Sequence, residues 1–178
     1  MKTKKMKTVL IAVDFNPTAQ KVAEEGYSLA SSLGAEVVLL HVMVNPLFYS
    51  TIDNYPLTDY SGALISALPL PETDRVQKEA HQFLDKLKLE LGGSNIQTLV
   101  KEGDSADTIL QTATDLKADL IVLGSHSRRW LDDVLMGSVA KEVLHHSTTP
   151  LFIIPTHKTK DTKKESFNNN ALHPEFFL

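Results

Sequence analysis

Short runs of consecutive apolar residues alternate along this chain with longer stretches in which apolar residues recur every three or four positions. The short runs consist largely of Val, Ile and Leu, which is typical of strands covered on both faces of a parallel sheet. We predict five strands, at Thr8–Val13, Glu36–Val42, Ile96–Val100, Asp119–Leu123 and Leu151–Ile154. The alternation predicts an α/β fold, an open five-stranded parallel sheet with helices on both faces.

Four helices are predicted between these strands. Asn16 can cap the first helix with Pro17 at its first position, and Gly34 is typical of its end. Asp104 or Ser105 begins the third helix. The second helix has the clearest apolar face, made of Val76, Ala80, Phe83, Leu84, Leu87 and Leu91.

Two segments do not fit the alternation. Residues 45–71 form a long connection that carries three of the four tyrosines, and the chain becomes polar and rich in Lys and Asn near its end. Connections longer than about 12 to 15 residues without secondary structure are usually functional or disordered. We therefore predict one domain over residues 1–156 with an insert at 45–71, which is either a lid or a variable surface loop, and a tail at 157–178.

The composition narrows the class of function. The 178 residues carry a net charge of -4, which argues against a general binder of nucleic acid. The chain has no cysteine, and no apolar run approaches the length of about 18 residues that a membrane helix needs. We expect a soluble cytoplasmic protein that binds neither nucleic acid nor membrane.

The segment after the fourth strand has the residues of a phosphate cradle. The strand ends at Gly124, and an amphipathic pattern that extends to Leu144 begins beside Gly137 and Ser138. Glycine allows the backbone to approach a ligand closely, and the N-terminus of a helix offers N–H groups to an anion. Arg128 in the loop either neutralises phosphate oxygens or pairs with nearby aspartates.

Other kinds of chemistry find no support in the sequence. The eight glycines do not form a Walker A loop, a G-x-G-x-x-G fingerprint or a G-x-S-x-G elbow. His41 has no second histidine or carboxylate at a ligand spacing, so we interpret it as a hydrogen-bonded histidine at the rim of the sheet. No nucleophile is paired with a base, and we predict neither catalytic residues nor a protein metal site.

The loop resembles the nucleotide loop of the universal stress protein family, whose pattern is Gly, two residues, Gly, nine residues, Gly, then Ser or Thr. Gly124, Gly137 and Ser138 fall in register, and Ser127 stands at the middle glycine. Serine disfavours positive φ by roughly 1 to 2 kcal/mol. The resemblance covers roughly residues 7–155 outside the insert.

The resemblance implies a fold like that of the adenine nucleotide alpha hydrolases, with strand order 3-2-1-4-5. It implies that Asp14 lies by the nucleotide and that the backbone of Val42 meets adenine. Asp14 directly follows the first strand, where open parallel sheets bind ligands, although it could instead cap a helix or form a salt bridge. The predicted nucleotide site comprises Asp14, Val42, Gly124, Ser125, Ser127, Arg128, Gly137, Ser138 and Val139.

The function implied by the resemblance is binding of ATP, with Mg²⁺ accompanying the nucleotide, as a regulatory or sensing ligand in a stress response. Hydrolysis is expected to be slow and incidental. We expect a homodimer formed through Leu151–Ile154 that signals through an unidentified protein partner. Two alternatives stay open, namely a dimeric scaffold of the same fold that binds no nucleotide, and a slow ATPase.

Overall fold

The computed structural model describes residues 5–44, 73–93, 95–125 and 136–156. Within these ranges the chain alternates strands and helices in the predicted order, while the insert at 45–71 and the tail at 157–178 lie outside them. The elements are β1 (Thr8–Ala12), α1 (Ala19–Leu33), β2 (Glu36–Met43), α2 (Thr73–Leu91), β3 (Ile96–Glu102), α3 (Ser105–Asp115), β4 (Leu120–Gly124), α4 (Ser138–His146) and β5 (Leu151–Ile154).

The five strands form one sheet in the order β3-β2-β1-β4-β5, with every neighbouring pair parallel. Ala12 at the end of β1 pairs with Leu40 on β2 and with Leu123 on β4. The predicted fold class and strand order are therefore confirmed.

Each face of the sheet carries its own hydrophobic core. Ile11, Leu39 and Val122 pack beneath α1 and α2, whereas Leu10 and Ile121 pack beneath α3 and α4. Successive side chains of a strand point to opposite faces, so a strand buried on both sides must be apolar at nearly every position. This burial explains the continuous apolar runs in the sequence.

The topological switch point of the sheet lies between β1 and β4, as the two cores show. The chain leaves β1 toward α1, whose Val22 and Ala23 belong to the first core, and α4 after β4 contributes Ala140 and Val143 to the second. Two adjacent strands whose connections leave to opposite faces create a crevice beyond their carboxyl ends. The fold thus places a ligand crevice at the end of β1 and β4.

The start of the first helix differs from its prediction. The helix begins at Ala19 and not at Pro17, and Thr18 precedes it without a capping side-chain bond. The backbone carbonyl of Asn16 accepts a hydrogen bond from the N–H of Ala19 at 2.9 Å, so a tighter turn precedes the helix. The predicted end at Gly34 is confirmed, since Gly34 adopts a left-handed conformation with φ of 63°.

The helices are amphipathic, as the apolar spacing predicted. Ala80, Leu84 and Leu87 of α2 are buried, and the two leucines belong to the first core. Leu144 of α4 is an exception, because it is 50% exposed beside the buried Val143. In the part of the chain that the structure describes, no helix has both the length and the apolar character needed to cross a bilayer.

Candidate functional site

A cavity of about 520 Å³ lies at the carboxyl end of the sheet, beside the topological switch point between β1 and β4. Phe15 and Val22 line it from one face of the sheet, and Ile109 and Ala140 line it from the other. Its volume falls within the range of about 300 to 1,000 Å³ that is usual for small-molecule sites. The cavity therefore has the place and the size of a ligand site.

Seven of the nine predicted site residues line this cavity, and they come from the ends of three strands and the start of one helix. The seven are Asp14, Val42, Gly124, Ser125, Gly137, Ser138 and Val139. Ser127 and Arg128 lie outside the described residues. The sequence motif and the crevice thus coincide for the residues that the structure describes.

The N-terminus of α4 forms one wall of the cavity. Gly137 is the N-cap, with φ of -67° and ψ of 158°, and its carbonyl accepts the first helical bond from Lys141 at 3.0 Å. The N–H groups of Ser138, Val139 and Ala140 therefore have no acceptor within the helix. These donors and the helix dipole favour an anion at this wall.

The N-terminus of α3 differs from that of α4 because the side chain of its N-cap residue, Asp104, caps it. The carboxylate of Asp104 accepts hydrogen bonds from the N–H groups of Ala106 at 2.9 Å and Asp107 at 3.1 Å. The sequence predicted either Asp104 or Ser105 at the start of this helix, and Asp104 is the cap. Gly137 has no side chain with which to cap α4. The first N–H groups of this helix are therefore available to a ligand in the cavity.

Asp14 lines the cavity and also shapes the backbone that follows β1. Its Oδ1 accepts a hydrogen bond from the N–H of Asn16 at 3.3 Å, and Oδ1 of Asn16 accepts one from the N–H of Thr18 at 3.3 Å. Two consecutive Asx turns, formed by Asp14 and Asn16, thus lead the chain into α1. The two interpretations of Asp14, as a ligand contact and as a local cap, are compatible in this geometry.

The side chain of Ser125 serves the architecture of the loop. Its Oγ accepts a hydrogen bond from the N–H of Thr156 at 3.1 Å, and the hydroxyls of the two residues lie 3.5 Å apart. Both residues are only 6% exposed. Thr156 was missed by the sequence reasoning, because no local pattern connects two residues that are separated by 31 positions.

His41 is hydrogen-bonded as predicted, but it is buried and does not lie at an exposed rim. Only 4% of the residue is exposed, and its Nδ1 lies 2.9 Å from the carbonyl oxygen of Val13. Its ring also contacts those of Phe15 and Phe83, which the sequence did not indicate. Among the described residues, no three His, Cys, Asp or Glu side chains form a group that could hold a metal ion.

Comparison with known proteins agrees with the family resemblance and with the fold. The universal stress protein family matches this chain over residues 5–155. Universal stress protein A of Salmonella typhi is 30% identical over 149 residues, covering 84% of this chain and 94% of that relative. Hypothetical protein MJ0577 superimposes with a TM-score of 0.65 at 23% identity, over 88% of this chain and 100% of that one. A universal stress protein in complex with cAMP superimposes with a TM-score of 0.59 at 18% identity, over 86% of this chain and 100% of that one.

Proposed function

This chain belongs to the universal stress protein family, and we propose that it binds ATP in the cavity between β1 and β4. The observation that carries the proposal is that one cavity joins the carboxylate of Asp14 to the N-terminus of α4. A nucleotide has donor groups on its base and anionic oxygens on its phosphates, so it needs both kinds of partner in one site. The solved relative in complex with cAMP supports the choice of an adenine nucleotide.

The phosphates are assigned to the wall formed by Gly137, Ser138 and Val139. Three N–H groups at the start of α4 lack helical acceptors, and the hydroxyl of Ser138 adds a further donor on an exposed residue. Gly124 allows the backbone to approach the ligand from the opposite side of the loop. Ser127 and Arg128 are proposed to complete the phosphate site.

The base is assigned to the ends of β1 and β2. Asp14 and Val42 line the cavity there, together with the apolar residues Leu40 and Ile109. The amino group of adenine can donate to the carboxylate, and a backbone carbonyl or N–H at Val42 can complete the recognition. An apolar floor with a few polar groups is the usual lining of a small-molecule site.

Mg²⁺ is proposed to enter with the nucleotide. Such ions usually keep several waters and bind largely through the phosphate oxygens of a substrate, so the nucleotide can carry the ion into the cavity. The ion would neutralise phosphate charge that the N–H groups alone leave unbalanced.

Occupancy of the site, rather than turnover, is proposed to carry the signal. Members of this family are generally not enzymes. We place the protein in the cytoplasm as a homodimer through β5, where the presence of ATP regulates its contact with a protein partner in a stress response. A dimeric scaffold without nucleotide is the alternative, and it is favoured by Ser127 in place of the family's middle glycine.

Titration calorimetry of the freshly purified, ligand-free chain tests the proposal. We expect ATP with Mg²⁺ to bind with a stoichiometry of one per chain, and GTP to bind more weakly because its base presents a carbonyl oxygen where adenine presents an amino group. AMP and cAMP show how much of the affinity comes from the outer phosphates. A folded protein that binds none of these adenine nucleotides would contradict the proposal and support the scaffold.

A further inference from the structure

Two residues that flank Asp14 in sequence are held by the same side chain. His41, on the neighbouring strand β2, contacts Val13 through a hydrogen bond and Phe15 through its ring. Asp14 lies between them and lines the cavity. The imidazole thus acts on the chain immediately before and immediately after the carboxylate.

The hydrogen bond shows that one particular ring nitrogen of His41 carries a hydrogen. Nδ1 of His41 lies 2.9 Å from the carbonyl oxygen of Val13, and a carbonyl oxygen can only accept, so Nδ1 carries the hydrogen. The N–H of Val13 in turn donates to the carbonyl of Leu40 at 2.9 Å. Val13 is therefore tied to β2 through both of its backbone polar groups, although β1 ends one residue earlier.

The ring contact holds Phe15, the residue that follows Asp14. The centroids of His41 and Phe15 are 4.4 Å apart at an interplanar angle of 64°, which is an edge-to-face arrangement. Phe83 of α2 lies 4.7 Å from Phe15 and 5.8 Å from His41, so three rings form one cluster. We call His41, Phe15 and Phe83 the aromatic cluster.

We propose that His41 is a positioning residue for the nucleotide site, and that it sets the orientation of the Asp14 carboxylate in the cavity. This inference rests on the proposed function for its ligand, but the geometry it describes exists without one. The hydrogen bond to Val13 is the main device, because it acts on the peptide group that directly precedes Asp14. The aromatic cluster prevents the following residue, Phe15, from swinging away.

A histidine that merely fills the core would leave a different pattern of effects. Its removal would lower stability, and the affinity for ligand would change by the same factor whether or not Asp14 keeps its carboxylate. A positioning residue acts through Asp14, so its effect on affinity must disappear when the carboxylate is absent. This non-additivity distinguishes the two roles.

Two substitutions separate the hydrogen bond from the ring. His41→Phe keeps an aromatic ring against Phe15 but loses the N–H donor. His41→Asn loses the ring, yet its side-chain nitrogen occupies nearly the place of Nδ1 and can still donate to Val13. His81→Phe, which replaces an exposed histidine of α2, is the matched control.

Calorimetry with ATP and Mg²⁺ gives the first readout. We expect His41→Phe to weaken binding about tenfold, with His41→Asn recovering most of the loss and His81→Phe unchanged. In an Asp14→Ala background, His41→Phe should cause no further loss. An equal tenfold loss in both backgrounds, or no recovery by asparagine, would overturn the proposal while leaving ATP binding itself intact.

Amide exchange of the ligand-free protein gives a second readout that does not depend on any nucleotide. The N–H of Asn16 donates to Oδ1 of Asp14 at 3.3 Å, so it reports the orientation of that carboxylate. We expect its exchange measured by NMR to accelerate about tenfold in His41→Phe and to recover in His41→Asn, with the amide of Val9 unchanged. Unaltered exchange of Asn16 in His41→Phe would refute the positioning role, even if the protein proved to bind no ATP.

Discussion

The carboxylate of Asp119 accepts a hydrogen bond from the backbone N–H of Lys7 at 2.7 Å, across 112 positions of sequence. The same oxygen lies 3.3 Å from the N–H of Thr8, and the N–H of Asp119 donates to the carbonyl of Thr8 at 2.9 Å. One side chain immediately before β4 thus accepts from the residue before β1 and from the first residue of β1. It sets the register of the two strands whose opposite ends form the ligand crevice.

Replacement of Asp119 by alanine is expected to lower the free energy of unfolding by about 1 to 3 kcal/mol, because two backbone donors lose their acceptor. Urea denaturation followed by circular dichroism measures the effect. Asp119→Asn keeps one acceptor oxygen and should lose less, and Asp85→Ala at an exposed position of α2 is the control. A loss for Asp119→Ala no larger than that of the control would contradict this role. The site lies at the other end of the strands, so nucleotide affinity should stay within about twofold of the native value.

The two serines predicted in the site are expected to differ in what they contribute. The hydroxyl of Ser125 accepts from Thr156, whereas Ser138 is exposed at the start of α4 and lines the cavity. Ser138→Ala should weaken ATP binding by about 1 to 2 kcal/mol, or roughly 5- to 30-fold, with little change in stability. Ser125→Ala should instead lower stability by about 1 to 2 kcal/mol, since the buried N–H of Thr156 loses its acceptor.

Calorimetry and thermal denaturation of both variants check this division. The reverse result, with Ser125→Ala reducing affinity at full stability, would mean that the Ser125 hydroxyl contacts the ligand directly. Thr156→Ala is a useful comparison, because it keeps the backbone N–H that Ser125 accepts from. It should therefore be milder than Ser125→Ala.

The difference between these serines shows where sequence reasoning reached its limit. The positions of Asp14, Gly124 and Gly137 at the cavity could be predicted, because residues that follow a strand of an open parallel sheet lie at its carboxyl end. The role of Ser125 could not, because its partner Thr156 is distant in sequence and its identity depends on how β5 leaves the sheet. Local patterns identify which residues reach the site but do not say which atoms are already used.

In the fold, too, some features follow from local sequence and others depend on residues that are far apart in the chain. The five apolar runs and the helix end at Gly34 follow from burial and from backbone conformation, both of which are visible in a single sequence. The strand order came from the resemblance to a family, since residues such as Val9 and Leu120 pair across more than 110 positions. The first helix begins two residues later than predicted, because the side chain and the carbonyl of Asn16 both accept local hydrogen bonds.

Gly137 is expected to be required for the ligand and not for the fold. Its φ of -67° and ψ of 158° suit any residue, so a side chain is compatible with the backbone there. Gly137→Val places a branched side chain on the cavity wall, and we expect ATP binding to be lost. Valine is a poor N-cap, so stability should fall by about 1 kcal/mol.

Gly137→Ala is the matched variant and should bind with intermediate affinity, because it adds a single methyl group. Calorimetry measures both, and circular dichroism verifies that each remains folded. Native affinity in a folded Gly137→Val protein would remove the start of α4 from the proposed site.

ATP is expected to remain intact in the complex. Among the described residues, the cavity offers N–H donors and the carboxylate of Asp14, whereas a working ATPase positions a nucleophilic water against a base and typically turns over at about 1 to 1,000 per second. Phosphate release from the purified protein, measured with Mg²⁺ present, should fall far below that range. Release at enzymatic rates that is lost in Asp14→Ala would place the protein among the ATPases instead.

Self-association is expected at β5, which is one of the two edges of the sheet. Its sequence Leu-Phe-Ile-Ile is entirely apolar, and Phe152 is 39% exposed, whereas β3 at the other edge carries Gln97, Lys101 and Glu102. Charged residues protect an edge strand from pairing, and an apolar edge invites it. A two-fold axis beside β5 would pair the strand with its own copy, over a length limited by Pro150 and Pro155.

Light scattering at micromolar concentration should give twice the mass of one chain. Phe152→Lys places a charge at the proposed interface and should shift the protein toward the monomer, whereas Leu89→Lys changes an 80% exposed leucine on α2 and should leave the dimer intact. A competing explanation is that the chain's own segment after His157 covers the edge. An intact chain that is monomeric, and that becomes dimeric when this segment is removed, would establish the cover and refute the dimer, because both occupants require the same backbone groups on the outer side of β5.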